Sequence, residues 1–406
     1  MADAPYLEPG RIGALTLRNR LVRAATGETM ATAIGEVTDA HLRLYGDLAR
    51  GGAGLIITGH LFVERRGQYA PFQLGLHEDR VIAGFRRLTD AVHAAGGVIF
   101  AELAHAGSQT VMPDIEPIAP SMVPNAIYAR QPREMTHADI ALVIAAFGAA
   151  AKRAMAAGFD GIHLHSGNGY LLSQFNSPFA NRRNDDWGGD ATRRGRFLHA
   201  VYAAVRESVG SNVPVTARVG VADAVAGGLS IAEGIDRIET LRSVGLDAVE
   251  VTYGLMNSYK ENIRPYAGLT RWRALADGAV HRVFSPPVPE AYYRPFAQAV
   301  KRRIDIPVIL VGGLRTTDTM ADVIRSGDAD FIAMARPLVR EPDLPHQLTA
   351  GRRGLVDCVS CNICLAHEGS DALKCWRKSW GDLARHAAWR FMLPVRNHQA
   401  SQQPPE

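Results

Sequence analysis

The sequence predicts an α/β protein built as a single parallel (β/α)8 barrel. From residue 20 onward, short β-branched or apolar runs alternate with longer amphipathic segments. Strands that alternate with helices imply βαβ units and a parallel sheet. Eight such units with nearly continuous apolar strands favour a closed barrel over an open doubly wound sheet. No strand-associated G-x-G-x-x-G motif supports the open alternative.

The element boundaries follow from composition and periodicity. The predicted strands are Leu21–Ala25, Gly54–Gly59, Gly97–Leu103, Phe159–His165, Val213–Val219, Ala248–Thr252, Val308–Val311 and Asp330–Met334. The predicted helices are Thr38–Arg50, Arg80–Ala95, Thr136–Ala157, Thr192–Val209, Ala232–Val244, Glu290–Arg303 and Thr317–Ser326. The second helix has one apolar face. Thr136 and Asp139 form a capping box that opens the third helix.

Two connections are too long to be simple turns. Ala104–Arg133, after strand 3, contains five prolines, and Tyr253–Pro289, after strand 6, is rich in aromatic residues. We interpret both as walls or a lid over the active face, with a surface excursion or an oligomer contact as the alternative. From about Trp376 the chain is polar and Arg-rich, which predicts a short helix at most and then disorder.

Composition limits the protein class. Of 406 residues, 47% are hydrophobic and 21% are charged, and no apolar run approaches the ~20 residues that cross a bilayer. With no signal-peptide pattern, we expect a cytoplasmic location and no membrane partner. The net charge of +4 is small and the basic residues are dispersed, so we expect no nucleic-acid partner. All four cysteines lie in one C-terminal window, which indicates a reducing compartment.

The most informative stretch is Phe159–Gly189, which begins as the fourth predicted strand. Side chains alternate along a strand, so His163 and His165 point to the same side. His165, Asn168 and Tyr170 lie at its carboxyl end, where parallel α/β barrels place their chemistry. A strand-end histidine taken alone is more often structural, and Tyr170 has the alternative role of an aromatic wall. We expect His163 to belong to the core.

The segment HSGNGY, followed by LLSQFNSPFANRRNDDWGG, resembles the Old Yellow Enzyme family of FMN-dependent ene-reductases. Within that family the chain is similar to the branch related to bacterial 2,4-dienoyl-CoA reductase. The resemblance runs in order from about Leu7 to Pro342. It includes LRNR before strand 1, GLIITGH at strand 2, E-L-x-H-x-G at strand 3, ARVG at strand 5, LVGGL at strand 7 and FIAMARPL at strand 8.

The resemblance implies an FMN enzyme that takes hydride from NAD(P)H and reduces a C=C bond conjugated to a carbonyl of a small molecule. His165 and Asn168 match the pair that binds the carbonyl oxygen, and Tyr170 matches the proton donor. Hydride addition builds negative charge on that oxygen, so preorganised donors there are worth roughly 2.7–4 kcal/mol each. Two alternatives remain, an oxidative demethylase of a methylated amine and a non-redox phosphate-binding barrel.

The resemblance also implies the flavin contacts. Around the ring we expect Ala24, Ala25, Thr26 and Gly27 after strand 1, His60 after strand 2, Glu102 in strand 3 and Arg218 in strand 5. Around the phosphate we expect Gly312, Gly313, Ala335 and Arg336, although Gly312 and Gly313 alone also fit an ordinary turn. Most relatives have glutamine at Glu102, so a protonated Glu102 or an altered contact is expected there. The Arg218 charge would stabilise reduced flavin.

The cysteine window resembles the iron–sulfur segment of the dienoyl-CoA reductase and trimethylamine dehydrogenase branch. Its spacing, C-x2-C-x2-C-x10-C, comprises Cys358, Cys361, Cys364 and Cys375. A [4Fe–4S] cluster, a four-thiolate zinc site and metal-free cysteines all remain open. Relatives in that branch have a C-terminal domain that binds FAD and a nicotinamide, which we expect this chain to lack. A second copy of the chain or a separate electron-transfer protein would then be its protein partner.

These features divide the chain into three predicted parts. Residues 1–350 form the FMN-binding barrel, residues 351–380 form the Cys-rich segment, and residues 381–406 form the polar tail.

Overall fold

The barrel is present and closed. The computed structural model describes residues 4–125, 130–255, 289–368 and 371–392. Its barrel strands are β1 (Leu21–Arg23), β2 (Leu55–Ile57), β3 (Ile99–Ala104), β4 (Gly161–Ser166), β5 (Val215–Gly220), β6 (Ala248–Thr252), β7 (Val308–Val311) and β8 (Phe331–Met334). They pair in parallel in this order, and β1 also pairs with β8, which closes the sheet. The predicted (β/α)8 fold is confirmed.

Helices lie between and after the strands. They are α1 (Asp39–Arg50), α2 (Ile82–Ala94), α3 (His137–Ala156), α4 (Leu171–Asn176), α5 (Ala191–Val209), α6 (Ile231–Ser243), α7 (Arg294–Lys301), α8 (Thr317–Arg325), α9 (Arg336–Arg340), α10 (Leu344–Thr349), α11 (Ile363–Ala366) and α12 (Trp380–Met392). Helix α7 starts four residues later than predicted. Pro295 occupies its first turn, where its missing N–H costs no hydrogen bond.

The interior of the barrel is apolar at one end and polar at the other. Near the amino ends of the strands, Val22, Leu55 and Phe331 pack together with Ile12 and Leu17. The last two belong to the hairpin of strands Gly10–Ile12 and Leu15–Leu17, which therefore plugs this end. A second, larger apolar core lies between the strands and the surrounding helices. The carboxyl end is thus left for polar groups.

The loop after β3 contributes to the walls of the site. It contains a 3-10 turn, Gly107–Gln109, and a short strand, Ile118–Ala119, that pairs with Arg133–Glu134. Its residues Ser108 and Ser121 line a small cleft together with Gly169, which precedes Tyr170. For the loop after β6, residues 256–288 lie outside the described ranges, so its role as a lid stays a prediction.

The C-terminal segment is anchored by aromatic stacking. The His367 ring lies 3.8 Å from the Trp376 ring and 4.2 Å from the Trp389 ring. His367 also hydrogen-bonds Asp371 at 2.9 Å and His386 at 3.0 Å. The helix expected near Trp376 is α12, while residues 393–406 lie outside the described ranges. In the described part of the chain, no helix has the length and apolar character needed to cross a membrane.

The predicted capping box of α3 is confirmed and is reinforced by arginines. The Asp139 carboxylate accepts from the Thr136 backbone N–H at 2.9 Å, and Thr136 Oγ1 accepts from the Asp139 N–H at 3.1 Å. Arg133 and Arg66 donate to the same carboxylate at 2.9 and 2.8 Å. These bonds, that of Arg133 first, hold the pKa of Asp139 well below its usual value.

Asp139→Asn is therefore expected to lower the free energy of unfolding by about 1–2 kcal/mol at pH 7. Because the folded-state pKa is depressed, the stabilisation is present above the unfolded-state pKa of about 3.9 and is lost as the pH falls below it. Urea unfolding of both proteins at pH 7 and at successively lower pH measures this. A difference in stability that persists unchanged at low pH would contradict the assignment.

Candidate active site

Polar side chains fill the carboxyl end of the barrel interior on β3 to β6. Glu102 pairs in register with His163, and Arg218 pairs with both His165 and Glu250. All five residues are buried. Neighbouring parallel strands in register point these side chains to the same side of the sheet, so they form one cluster in the barrel interior. A buried cluster of charged groups requires mutual pairing.

Glu102 is ionised and is bonded to His165. Its Oε1 lies 2.9 Å from His165 Nδ1 and 3.8 Å from Arg218 Nη1. Burial would raise the pKa of Glu102, but the charges of His165 and Arg218 hold it well below its usual value. The expectation of a protonated Glu102 is therefore wrong, and the altered contact is the bond to His165.

Arg218 is paired with an acidic residue that was not predicted from the sequence. Its Nη2 donates to Glu250 Oε1 at 2.9 Å, and the other Glu250 oxygen lies 3.2 Å from His163 Nε2. Burial would lower the pKa of Arg218, but Glu250 and Glu102 raise it, so the guanidinium stays charged. In the sequence, Glu250 could have been recognised as an acidic residue within an otherwise apolar strand. His163, which also bonds Thr216 at 2.8 Å, is a buried interior residue as expected.

A tight turn presents the next two residues. Asn168 and Gly169 follow β4 with φ of 54° and 78°, a left-handed conformation that asparagine and glycine tolerate best. Gln109 Nε2 donates to the Asn168 carbonyl at 3.1 Å, and Asn168 Nδ2 donates weakly to Thr252 Oγ1 at 3.4 Å. The sequence Gly-Asn-Gly thus forms the turn that leads into Tyr170, at the start of α4.

Tyr170 lies against two histidines. Its ring is edge-on to the His165 ring, with 4.5 Å between centroids, and its hydroxyl is 3.1 Å from His60 Nε2. Burial is the main cause that lowers the pKa of His60 to about 4, so His60 is neutral at pH 7. His60 was expected near the flavin, and the structure gives it this contact with Tyr170. His165, Asn168 and Tyr170 therefore lie together at the carboxyl end of the barrel.

Apart from His163 Nε2, which has Glu250 as its neighbour, two buried nitrogen atoms of this site have no hydrogen-bond partner among the described residues. They are Nε2 of His165 and Nε of Arg218. Leaving a buried donor without a partner costs about 1–3 kcal/mol, so both atoms fit contacts to bound molecules. His165 Nδ1 is engaged by the Glu102 carboxylate, which fixes the orientation of the ring and leaves Nε2 for a ligand.

Glu102→Gln should therefore weaken binding of phenolate ligands by about tenfold, the effect of losing one charge-assisted interaction of about 1.4 kcal/mol. Glutamine keeps the shape and still accepts from Nδ1, but it removes the negative charge and so weakens the charge-assisted bond that holds the ring in place. Titration of the flavin-loaded protein with a substituted phenol, followed by absorbance, measures the dissociation constant. Equal affinities of wild type and variant would contradict the role of Glu102.

The expected cofactor residues occupy the same end of the barrel. Ala24 and Ala25 are buried after β1, and Thr26 Oγ1 accepts from Arg23 at 2.7 Å. Gly312 and Gly313 follow β7 with φ of 111° and 77°. A Cβ at either glycine would lie 2.7 Å from the Tyr292 ring, so no side chain fits there.

The other expected phosphate contacts follow β8. Ala335 immediately precedes α9, and the Arg336 guanidinium donates to Asn362 Oδ1 in the Cys-rich segment. The sequence did not predict this link between the barrel and the segment.

The cysteines do not form a metal site as they stand. Cys361 is exposed, and Cys358, Cys364 and Cys375 are half-buried free thiols. Burial raises the pKa of the Cys364 thiol to about 11, despite the nearby Arg336. Among the described residues, no three His, Cys, Asp or Glu side chains are arranged to hold a metal ion. The proposed cluster thus gains no support, and no chemical step is assigned to it.

One residue of the Cys-rich segment reaches the site and was missed. Glu368 lines a small cavity together with Gly27, His60, Tyr69 and Gln73. A Cβ on Gly27 would collide with Glu368 Oε1, which shows how closely this carboxyl approaches the loop after β1. The sequence did not indicate this contact, because the segment has no strand or helix periodicity from which its path through the fold could be predicted.

A family model identifies the family to which this chain belongs. The model of the NADH:flavin oxidoreductase / NADH oxidase family matches residues 6–354. The chain belongs to this family. The collinear motifs and the eight-stranded barrel are thereby explained by common descent, and the resemblance expected from the sequence is confirmed.

Two curated relatives and one solved structure illustrate the similarity. The NADH oxidase of Thermoanaerobacter brockii is 36% identical over 359 residues, covering 87% of this chain but 52% of that protein. The 4,4'-dithiodibutanoate disulfide reductase of Rhodococcus erythropolis is 34% identical, covering 90% of this chain and 94% of that protein. A 2-naphthoyl-CoA reductase complex has a TM-score of 0.81 at 25% identity, covering 92% of this chain and 56% of that one. The chain thus spans about half the length of two of the three.

Proposed function

We propose that this chain is an FMN-dependent oxidoreductase that uses NAD(P)H to reduce a C=C bond conjugated to a carbonyl group. The observation that carries the proposal is the buried His165 Nε2, which has no partner among the described residues and lies beside Tyr170. A carbonyl oxygen is a suitable acceptor for that nitrogen. The family membership supports NAD(P)H and FMN as the reductant and cofactor.

His165 and Asn168 would bind the carbonyl oxygen, and Tyr170 would supply the proton. In the reaction, negative charge develops on that oxygen as the β-carbon is reduced. A hydrogen bond from His165 would stabilise this charge, and the bond of its Nδ1 to Glu102 holds the ring in place. Tyr170 then donates its hydroxyl proton to the α-carbon as a general acid.

The FMN would occupy the carboxyl end of the barrel, where it supplies hydride taken from NAD(P)H. The residues that would hold its ring are Ala24, Ala25, Thr26, His60, Glu102 and Arg218. Those that would hold its phosphate are Gly312, Gly313, Ala335 and Arg336. The unpartnered Nε of Arg218 supports the assignment of the ring contacts.

A second candidate function is reduction of an organic disulfide. The relative from Rhodococcus erythropolis has nearly the same extent as this chain, with 94% of its length covered. In that reaction NAD(P)H and one proton reduce R–S–S–R to two thiols. Tyr170 would then protonate the departing thiolate, so the same residue serves either acceptor.

Anaerobic turnover distinguishes the two functions. The flavin-loaded protein is reduced with one equivalent of NAD(P)H and mixed with 2-cyclohexenone or with 4,4'-dithiodibutanoate. Rapid return of the oxidised flavin spectrum with the enone, and saturated ketone as the product, is the expected result. Return only with the disulfide would assign the second function, and return with neither acceptor would contradict both.

A further inference from the structure

Glu368 is a carboxyl without a partner in the part of the chain that the structure describes. No hydrogen bond or ion pair to it occurs there, although the surrounding acidic groups are all paired. Glu28 is bonded to Arg23 at 2.9 Å, and Glu102 is bonded to His165 at 2.9 Å. Burial raises the pKa of Glu368 to about 7. The Cys-rich segment therefore brings into the site a carboxyl that both gains and loses a proton near neutral pH.

The cavity beside Glu368 has the size of a water molecule. Its volume is about 10 Å³, close to the minimum that holds one water. Its polar lining includes His60, Tyr69 and Gln73, which supply the partners that a buried water needs. This volume is too small for a substrate group. It favours transfer of a proton over binding of a ligand.

His60 connects this cavity with the site of the reaction. Its Nε2 lies 3.1 Å from the Tyr170 hydroxyl. A Cβ added to Gly27 would lie 3.5 Å from His60 Cε1 and would collide with Glu368 Oε1. The imidazole and the carboxyl are therefore both close to the same position beside Gly27. His60 therefore contacts Tyr170 through Nε2 and approaches Glu368 and the cavity through its Cε1 edge.

We propose that Glu368 and His60 form a proton path that restores the proton Tyr170 gives to the substrate, with one water in the cavity between them. The inference rests on the proposed role of Tyr170 as proton donor. It also gives the Cys-rich segment a role in the chemistry that needs no metal. Glu368 touches no reacting atom in this scheme, so it is a positioning and proton-supplying residue.

The productive tautomer of His60 carries its proton on Nε2 and donates it toward the Tyr170 oxygen. When the Tyr170 O–H bond breaks and the α-carbon C–H bond forms, the Nε2 proton moves to the tyrosine oxygen. His60 Nδ1 then accepts the Glu368 proton through the water. The carboxylate left on Glu368 is reprotonated by solvent, so each turnover consumes one solvent proton and leaves His60 neutral with its proton on Nδ1. Proton exchange with water then returns His60 to the Nε2 tautomer before the next turnover.

Other charged and titratable groups face Glu368 from each neighbouring element. Glu28 follows β1 and is neutralised by Arg23, Tyr69 presents a hydroxyl, and His60 is neutral because its pKa is about 4. On its own segment, His367 is bonded to Asp371. Glu368 is thus the group of this set expected to titrate near pH 7.

The first test reads His60 directly and needs no catalysis. Nitrogen NMR of the flavin-free protein labelled with ¹⁵N-histidine should show a shift of the His60 nitrogens with a midpoint near pH 7. The shift should be absent in Glu368→Gln, in which nothing titrates at that position. A His60 signal without a transition near pH 7 in the wild type would overturn the proposal.

The second test measures reoxidation of the reduced holoenzyme by enone at different pH values. The wild-type rate should fall above pH 7, as Glu368 loses the proton it must supply. Glu368→Gln should be about tenfold slower at pH 6 and should lack that fall. Asp371→Asn, on the same segment but outside the cavity, is the matched control and should keep the wild-type profile.

The outcomes separate this inference from the proposed function. If Tyr170→Phe is slow while Glu368→Gln keeps the wild-type rate and profile, the path is wrong and the donor role of Tyr170 stands. If Tyr170→Phe reduces the enone as fast as the wild type, the proposed donor fails and the path fails with it. If Glu368→Gln changes only the KM for substrates that carry an ammonium group, Glu368 is a cation-binding residue and the path is overturned.

Discussion

Tyr170→Phe is expected to slow alkene reduction by about 10²- to 10⁴-fold, the usual contribution of a positioned general acid. The change removes one hydroxyl and leaves the ring, which packs edge-on against His165. Transfer of hydride from NAD(P)H needs no proton from Tyr170, so the rate of flavin bleaching should stay within about twofold of the wild type. Stopped-flow absorbance measures the two half-reactions separately.

A buried tyrosine outside the barrel interior serves as the control for this variant. Tyr202 on α5 donates to the Val244 carbonyl at 3.3 Å and is remote from the site. Tyr202→Phe should leave both half-reactions unchanged. Equal losses in both half-reactions of Tyr170→Phe would contradict its role as proton donor and would indicate an effect on flavin binding instead.

His165→Ala is expected to lower the rate of alkene reduction by about 10²- to 10³-fold, the cost of removing one donor to a developing oxyanion. It should also weaken phenol binding, because the buried Nε2 is the proposed donor to the ligand oxygen. The variant leaves the buried Glu102 carboxylate without one of the partners that hold its pKa low, so the stability of the protein should fall as well. Ligand titration and thermal unfolding measure the two effects.

His199→Ala provides the matched comparison, because His199 is a half-buried histidine on α5 outside the barrel interior. It should bind phenols with the affinity of the wild type. A His165→Ala protein that also binds phenols with wild-type affinity would remove His165 from the proposed site.

The sequence predicted the barrel because its strands are unusually easy to recognise. Ala248–Thr252 and Val308–Val311 form with the predicted bounds, since buried parallel strands are continuous apolar runs. The errors lie at the ends of elements. The fifth strand begins at Val215 instead of Val213, after Pro214, which has no N–H to donate to a sheet.

The sequence predicts the site only where residues that are close along the chain are also close in the folded protein. His165, Asn168 and Tyr170 lie within six residues, so one strand and one turn bring them together. Glu102 was misjudged and Glu250 was missed, because their partners lie on other strands. The register between strands cannot be read from composition. Glu368 was missed because only tertiary packing directs the Cys-rich segment toward Gly27.

The origin of the two hydrogens in the product tests the central claim most directly. The protein is supplied with 4-deuterated NAD(P)H and 2-cyclohexenone in ordinary water, without oxygen, and the cyclohexanone is analysed by NMR and mass spectrometry. We expect one deuterium at the β-carbon and a solvent hydrogen at the α-carbon, the latter delivered through Tyr170. Unlabelled enone recovered intact while NAD(P)H is consumed, or deuterium at the α-carbon, would contradict the account.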